Sequence, residues 1–123
     1  MRTVRLTDKK TGRGLMREMG IAESIPSRLF GLMGRRGLKP GTGLYFPRCS
    51  SIHMFFMLFA IDVVYVDKAL KVEKIVHALK PWRLSWCRGA YGVIEAPPGW
   101  ADEVGLEVGA QLAFDEPAEQ EET

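Results

Sequence analysis

The sequence predicts a strand-rich α+β domain, one globular unit over residues 1–114 followed by an acidic tail over residues 115–123. Three observations predict it. Runs dense in β-branched and aromatic residues recur between residues 44 and 76. A single apolar stripe at helical spacing precedes them. The 123 residues, 46% hydrophobic, suffice for one core and are too few for two independent domains.

Taken in order, residues 3–6 and 15–19 are short strand-compatible runs, and the polar stretch between them, with Gly12 near its end, reads as a hairpin loop. Ser24 is suited to cap a helix whose first turn holds Pro26, where a missing N–H costs nothing. Ile25, Leu29, Leu32 and Met33 then share one face, and Gly34 follows as a stop, so this helix should dock on a sheet. Residues 44–46, 52–59, 61–66 and 72–76 read as strands, with a turn over 67–70. The two central runs are apolar on both faces, which predicts strands covered on both sides. Residues 91–95 form a further strand. Pro97-Pro98-Gly99 ends it and opens a short helix over about 100–104, stopped by Gly105, before a last strand over 111–114. Beyond it the sequence DEPAEQEET has nothing to bury and is expected to be disordered.

The net charge of +2 conceals a polarity along the chain. Residues 1–48 carry eleven Lys/Arg against three Asp/Glu, residues 49–90 carry six against three, and residues 91–123 carry nine acids and no base. The body, residues 1–114, is therefore +7 and the tail holds five acids. Such a body favours anionic partners. No apolar run approaches the roughly 20 residues of a membrane helix, so no membrane association is expected. The opening MRTVRLTDKK lacks the apolar stretch of a secretory signal, which predicts a cytoplasmic protein in a reducing compartment. With only Cys49 and Cys87 and no C-x-x-C, a disulfide framework is not expected, and one bridge between the two stays open.

Phosphate-loop, dinucleotide, zinc-protease and nucleophile-elbow motifs are all missing, which removes the common nucleotide-fold and hydrolase mechanisms. Cys49, His53, His77 and Cys87 match no zinc-site spacing, so neither a metal nor a cofactor is expected. Cys49, Ser51 and His53 should share a strand face. A Cys49–His53 dyad is disfavoured, because four residues along a strand span about 13 Å, far beyond hydrogen-bond reach. His53, between Ile52 and Met54, is expected to be buried and so to need a partner. Asp62 and Glu95 are the candidate acids, and the three could line one polar pocket. The segment Lys80-Pro81-Trp82-Arg83-Leu84-Ser85-Trp86-Cys87-Arg88 interleaves aromatics with cations, as a loop stacking on bases or sugars while pairing phosphates would. It would equally serve as a loop packed on the sheet. His77 should be exposed.

Arg28-Leu29-Phe30-Gly31-Leu32-Met33-Gly34-Arg35, Gly41-Thr42-Gly43-Leu44, Cys49-Ser50-Ser51-Ile52-His53-Met54-Phe55-Phe56-Met57, Ile61-Asp62-Val63-Val64-Tyr65-Val66-Asp67 and Pro81-Trp82-Arg83 together resemble the domain of unknown function 192 family. Val93-Ile94-Glu95-Ala96-Pro97-Pro98-Gly99 and Gly105-Leu106-Glu107-Val108-Gly109 resemble its closing segment. The resemblance implies a compact, β-dominated α+β domain: a curled mixed sheet or partial barrel covered by short helices. It implies no activity. It places Arg28, His53, Met57, Asp62, Trp82, Arg83 and Glu95 inside family motifs, while Phe55-Phe56 and Leu58-Phe59-Ala60 depart from them towards apolar residues. Many relatives carry an export signal, and the opening MRTVRLTDKK is expected not to be one.

These readings lead to a non-enzymatic binding domain for a small or polymeric anionic ligand, with His53, Asp62, Trp82, Arg83 and Glu95 as candidate contacts. RNA binding through the basic body is one alternative. A hydrolase or transferase using His53 or Cys49 with Asp62 is the other. A monomer or weak dimer is expected.

Overall fold

The computed structural model describes residues 2–23, 37–55 and 57–117. Among them the strands are β1 (Arg2–Asp8), β2 (Gly14–Ile21), β3 (Thr42–Pro47), β4 (Ser51–His53), β5 (Ile61–Val66), β6 (Val72–Leu79), β7 (Leu84–Trp86), β8 (Gly92–Ala96) and β9 (Leu112–Asp115), with one helix, α1 (Trp100–Glu103), between the last two. β1 and β2 make the predicted hairpin. Its loop is closed by the Asp8 carboxylate, which accepts the Lys10 and Thr11 amides at 2.8 and 3.1 Å, and by Gly12 at φ 76°, a conformation favouring glycine.

Seven strands form one mixed sheet in the order β6-β5-β8-β3-β2-β1-β9, with β2 and β3 parallel and the other neighbours antiparallel. The sheet curls until its edges meet. The Val72 amide donates to the Ala110 carbonyl at 2.9 Å, the Leu112 amide to the Leu70 carbonyl at 3.0 Å, and Lys71 bridges to Gln111. The result is the expected partial barrel. Side chains inside the curl, among them Leu6, Met16, Met19, Tyr45, Val64, Ile94 and Leu112, form one core cluster drawn from both edges and the middle of the sheet. The helix α1 plugs one end, with Trp100 buried and its indole N–H donating to the Leu15 carbonyl at 2.8 Å.

The outer face carries a second cluster, Leu44, Phe46, Met54, Met57, Ile61, Val63, Tyr65 and Val93. Both faces of β5 are covered, as its apolar run predicts: all six residues are buried. The expectation that short helices cover the sheet is corrected here. Among the described residues α1 is the only helix, and an antiparallel ribbon of β4 and β7 packs on the outer face instead. The helix predicted from Ser24 to Gly34 lies outside the described residues.

Two strand assignments change. The run 52–59 is not one buried strand: β4 ends at His53, after which the Met54 amide and carbonyl bond to Arg83 and Trp82 and the Met57 amide turns back onto the Met54 carbonyl. Periodicity cannot distinguish a continuous strand from a short ribbon followed by a turn when nearly every residue is apolar. The segment 80–88, read as a loop, contains β7 for the same reason: its partner is β4, far away in sequence. β6 extends to Leu79, and β9 takes in Asp115, which forms an ion pair with Arg5 at 3.5 Å.

Candidate functional site

The β4–β7 ribbon has two faces. Ser51 pairs with Trp86, Ile52 with Ser85 and His53 with Leu84. Strand alternation therefore turns Ile52 and Ser85 inward, where Ile52 packs on the outer core and Ser85 accepts the buried Tyr65 hydroxyl at 2.9 Å. Burial raises the Tyr65 pKa, and the Ser85 bond offsets part of that rise. The other face sends His53, Leu84 and Trp86 into solvent.

Beyond the ribbon the aromatic surface continues. The His53 ring lies 4.8 Å from Phe55 and the Phe55 ring 5.8 Å from Trp82, both tilted by 31°, so the three form a ladder. Trp82 is 56% exposed, Leu84 59%, Leu58 62% and Trp86 65%. Trp82 holds φ 66°, sparsely populated for a bulky residue, because its amide is fixed to the Met54 carbonyl at 2.8 Å. Lys80, Arg83 and Arg88 flank this surface, all exposed, and none is in an ion pair among the described residues. Lys74 caps the Trp86 carbonyl at 2.8 Å and lies over the Tyr65 ring at 5.9 Å. Glu73 is the acid beside the ribbon, with its carboxylate 3.9 Å from the Cys87 thiol, whose pKa burial and this charge push up.

The structure joins some of the sequence-derived candidates and separates others. His53, Trp82 and Arg83 share the ribbon surface. His53 is exposed rather than buried, which corrects the expectation that it needs a buried acid. Asp62 is fully buried and already committed: Oδ1 accepts the Ala78 and Gly99 amides at 2.9 and 3.2 Å, and Oδ2 accepts the Ala101 amide at 2.8 Å. It ties the start of α1 to β6, where Ala78 at φ 48° turns its N–H inward at a register shift. Val63 pairs with Glu95 and packs on the outer face, whereas Asp62 pairs with Ala96 of the inner cluster, so Asp62 and Glu95 lie on opposite faces of the sheet. The single polar pocket of His53, Asp62 and Glu95 therefore does not form.

Glu95 sits beneath the outer cluster, 8% exposed, with Oε2 lacking a hydrogen-bond partner among the described residues. Burial raises its pKa from 4.5 to about 7. Cys49 is half-buried against the outer core and donates its thiol to the Ser51 carbonyl at 3.0 Å. Among the described residues no hydrogen bond joins Cys49, His53 and Asp62, so the acid–base grouping considered for a hydrolase is not assembled. Cys49 and Cys87 are separate thiols. No group of three or more His, Cys, Asp or Glu among the described residues could hold a metal ion, and none of their helices is long and apolar enough to cross a membrane. His77 is exposed as expected and lies 3.8 Å from Asp102. The sequence reading passed over Phe55 as a ladder member. The signal was present, since Ser51, His53 and Phe55 alternate along one strand direction.

The DUF192 family, described as "Uncharacterized ACR, COG1430", matches residues 5–114. A UPF0127 protein of Pyrococcus horikoshii is 37% identical over 105 residues, 79% of this chain and 87% of that protein. One from Thermococcus sibiricus is 31% identical over 115 residues, 89% of this chain and 74% of its own length. A crystal structure from Sinorhizobium meliloti, provisionally described as a transcription regulator, shares the fold with a TM-score of 0.79 at 23% identity, covering 91% of this chain and 92% of that one. A protein of unknown function from Novosphingobium aromaticivorans has a TM-score of 0.74 at 22% identity, covering 90% and 83%. With the expected motifs in order and the family matched over nearly all of the sheet, the chain belongs to the DUF192 family.

Proposed function

We propose that this protein is a non-enzymatic binding domain that holds a single-stranded anionic polymer, RNA in chemical type, across the β4–β7 ribbon. The observation that carries the reading is the exposed ladder His53–Phe55–Trp82, continued by Trp86 and flanked by Lys80, Arg83 and Arg88. Exposed aromatic surface of this extent is unfavourable in water unless a partner covers it. Bases stack on such rings for roughly 1–3 kcal/mol each, and nearby cations neutralise the backbone. An open ribbon suits a polymer better than an enclosed small molecule. In this account Asp62 supports the fold, and His53, Trp82 and Arg83 make the contacts in a cytoplasmic setting.

Titration with oligo-uridine, followed by tryptophan fluorescence, tests it. Quenching is expected, and Trp82→Ala should weaken binding roughly 5- to 100-fold, the equivalent of one lost stacking contact. Absence of a response in the wild-type chain, or equal affinity in the variant, removes the reading.

A further inference from the structure

Among the described residues, none covers the end of the curled sheet opposite α1. The start of β1, the ends of β2, β3 and β9, the β5–β6 turn and the approach to β8 all arrive there, around a groove of about 400 Å³. That size lies within the range of small-molecule sites, and the mouths of β-barrels are frequent places for them. Ile21, Leu70 and Phe114 supply apolar lining, with Phe114 edge-on to the Tyr45 ring at 5.1 Å.

Polar groups line the same groove. Tyr45 is only 5% exposed, yet it lines the groove. Its ring lies flat on β8 because position 92 is glycine: a Cβ there would meet the Tyr45 hydroxyl oxygen at 2.4 Å. Burial pushes the Tyr45 pKa up to about 12, with the nearby Tyr91 adding to the rise and Arg48 opposing it, so the phenol keeps its proton as a donor. Three cations stand on the rim. Lys68 lies over the Tyr91 ring at 5.7 Å, Arg48 follows Pro47 at φ 54°, and Arg2 pairs with Glu23 at 3.5 Å. Glu23 is the only acid lining the groove among the described residues.

We infer that this end is a second binding site, separate from the ribbon, for a small organic anion: one phosphate or carboxylate group carried on a flat apolar body. The anionic group would accept the Tyr45 hydroxyl and lie among Lys68, Arg48 and Arg2, while the apolar body covers Phe114 and Leu70. A phenol donor at the groove, beside an excess of positive charge and apolar side chains, is complementary to that chemistry.

Calorimetric titration of the full chain with phenyl phosphate, benzoate and neutral benzyl alcohol tests the inference, and the better-bound anion identifies the charged group. One anion should bind per chain, at least about tenfold tighter than benzyl alcohol. Loss of a hydrogen bond to a charged group corresponds to about a tenfold weakening in Tyr45→Phe. Lys68→Met, at an exposed position, should weaken binding several-fold, and Trp82→Ala should leave it unchanged. The inference is overturned if neither anion binds, if benzyl alcohol binds as well, if Tyr45→Phe and Lys68→Met both retain full affinity, or if Trp82→Ala abolishes binding.

Discussion

Replacing Glu95 with glutamine should change how stability depends on pH more than it changes stability at any one pH. The Glu95 carboxyl is buried on the outer face of β8, its Oε2 has no partner among the described residues, and burial raises its pKa from 4.5 to about 7. Below pH 4.5 folded and unfolded chains both hold the proton. Between 4.5 and 7 the unfolded chain releases it while the folded chain keeps it, so this residue's contribution falls as pH rises. Above pH 7 the destabilisation levels off at about 3 kcal/mol, the free-energy equivalent of a rise from 4.5 to about 7. Against a net stability of about 5–15 kcal/mol for a domain, that is a large fraction. It corresponds to a Tm change on the order of 10 °C. Urea denaturation of wild type and Glu95→Gln at about pH 5 and pH 8 measures it. The amide adds its own constant burial cost, so the informative quantity is the difference between the two pH values, where the variant should gain about 2.5 kcal/mol on wild type, the unfolded carboxyl being already partly ionised at pH 5. A wild type–variant difference that is the same at both pH values would refute the reasoning.

Four further expectations concern the fold, the ribbon and the tail. Asp62→Asn, which leaves an amide nitrogen where a carboxylate oxygen accepts a backbone N–H, should cost about 2–3 kcal/mol in urea denaturation without changing RNA affinity. Trp82→Gly, which relieves φ 66°, should retain or raise the Tm by several degrees while losing RNA affinity as Trp82→Ala does. If Lys80, Arg83 and Arg88 each neutralise one phosphate, the salt slope is about −2 and affinity measured by anisotropy falls roughly 20-fold between 50 and 200 mM salt. A chain ending at Pro117, without Glu119, Glu121 and Glu122, should bind more tightly at low salt and equally at high salt.

Much of the sheet is legible in the sequence because local chemistry and final environment agree. Ile61-Asp62-Val63-Val64-Tyr65-Val66 is rich in β-branched residues and becomes a strand buried on both faces. Pro97-Pro98-Gly99 ends β8 and starts α1 as turn chemistry dictates. What was not legible depends on long-range pairing. His53 looks buried between apolar neighbours, yet its pairing with Leu84 turns it to solvent. Asp62 looks like a partner for an imidazole, yet three backbone amides 16 to 39 residues away take its oxygens. Glu95 was correctly placed on a strand, but only the β5–β8 register shows that it faces away from Asp62. The aromatic and basic segment around Trp82 stood out by composition, and the ribbon that displays it needed the fold.

The central claim is that RNA lies on the β4–β7 ribbon. Residue-resolved NMR of the full chain titrated with oligo-uridine tests it most directly. The account predicts shifts in the amides of His53, Phe55 and Arg83 and in the indole N–H signals of Trp82 and Trp86, with the buried Trp100 indole unmoved. Shifts confined to the Tyr45 and Tyr91 end of the sheet, or no shifts at all, would contradict it.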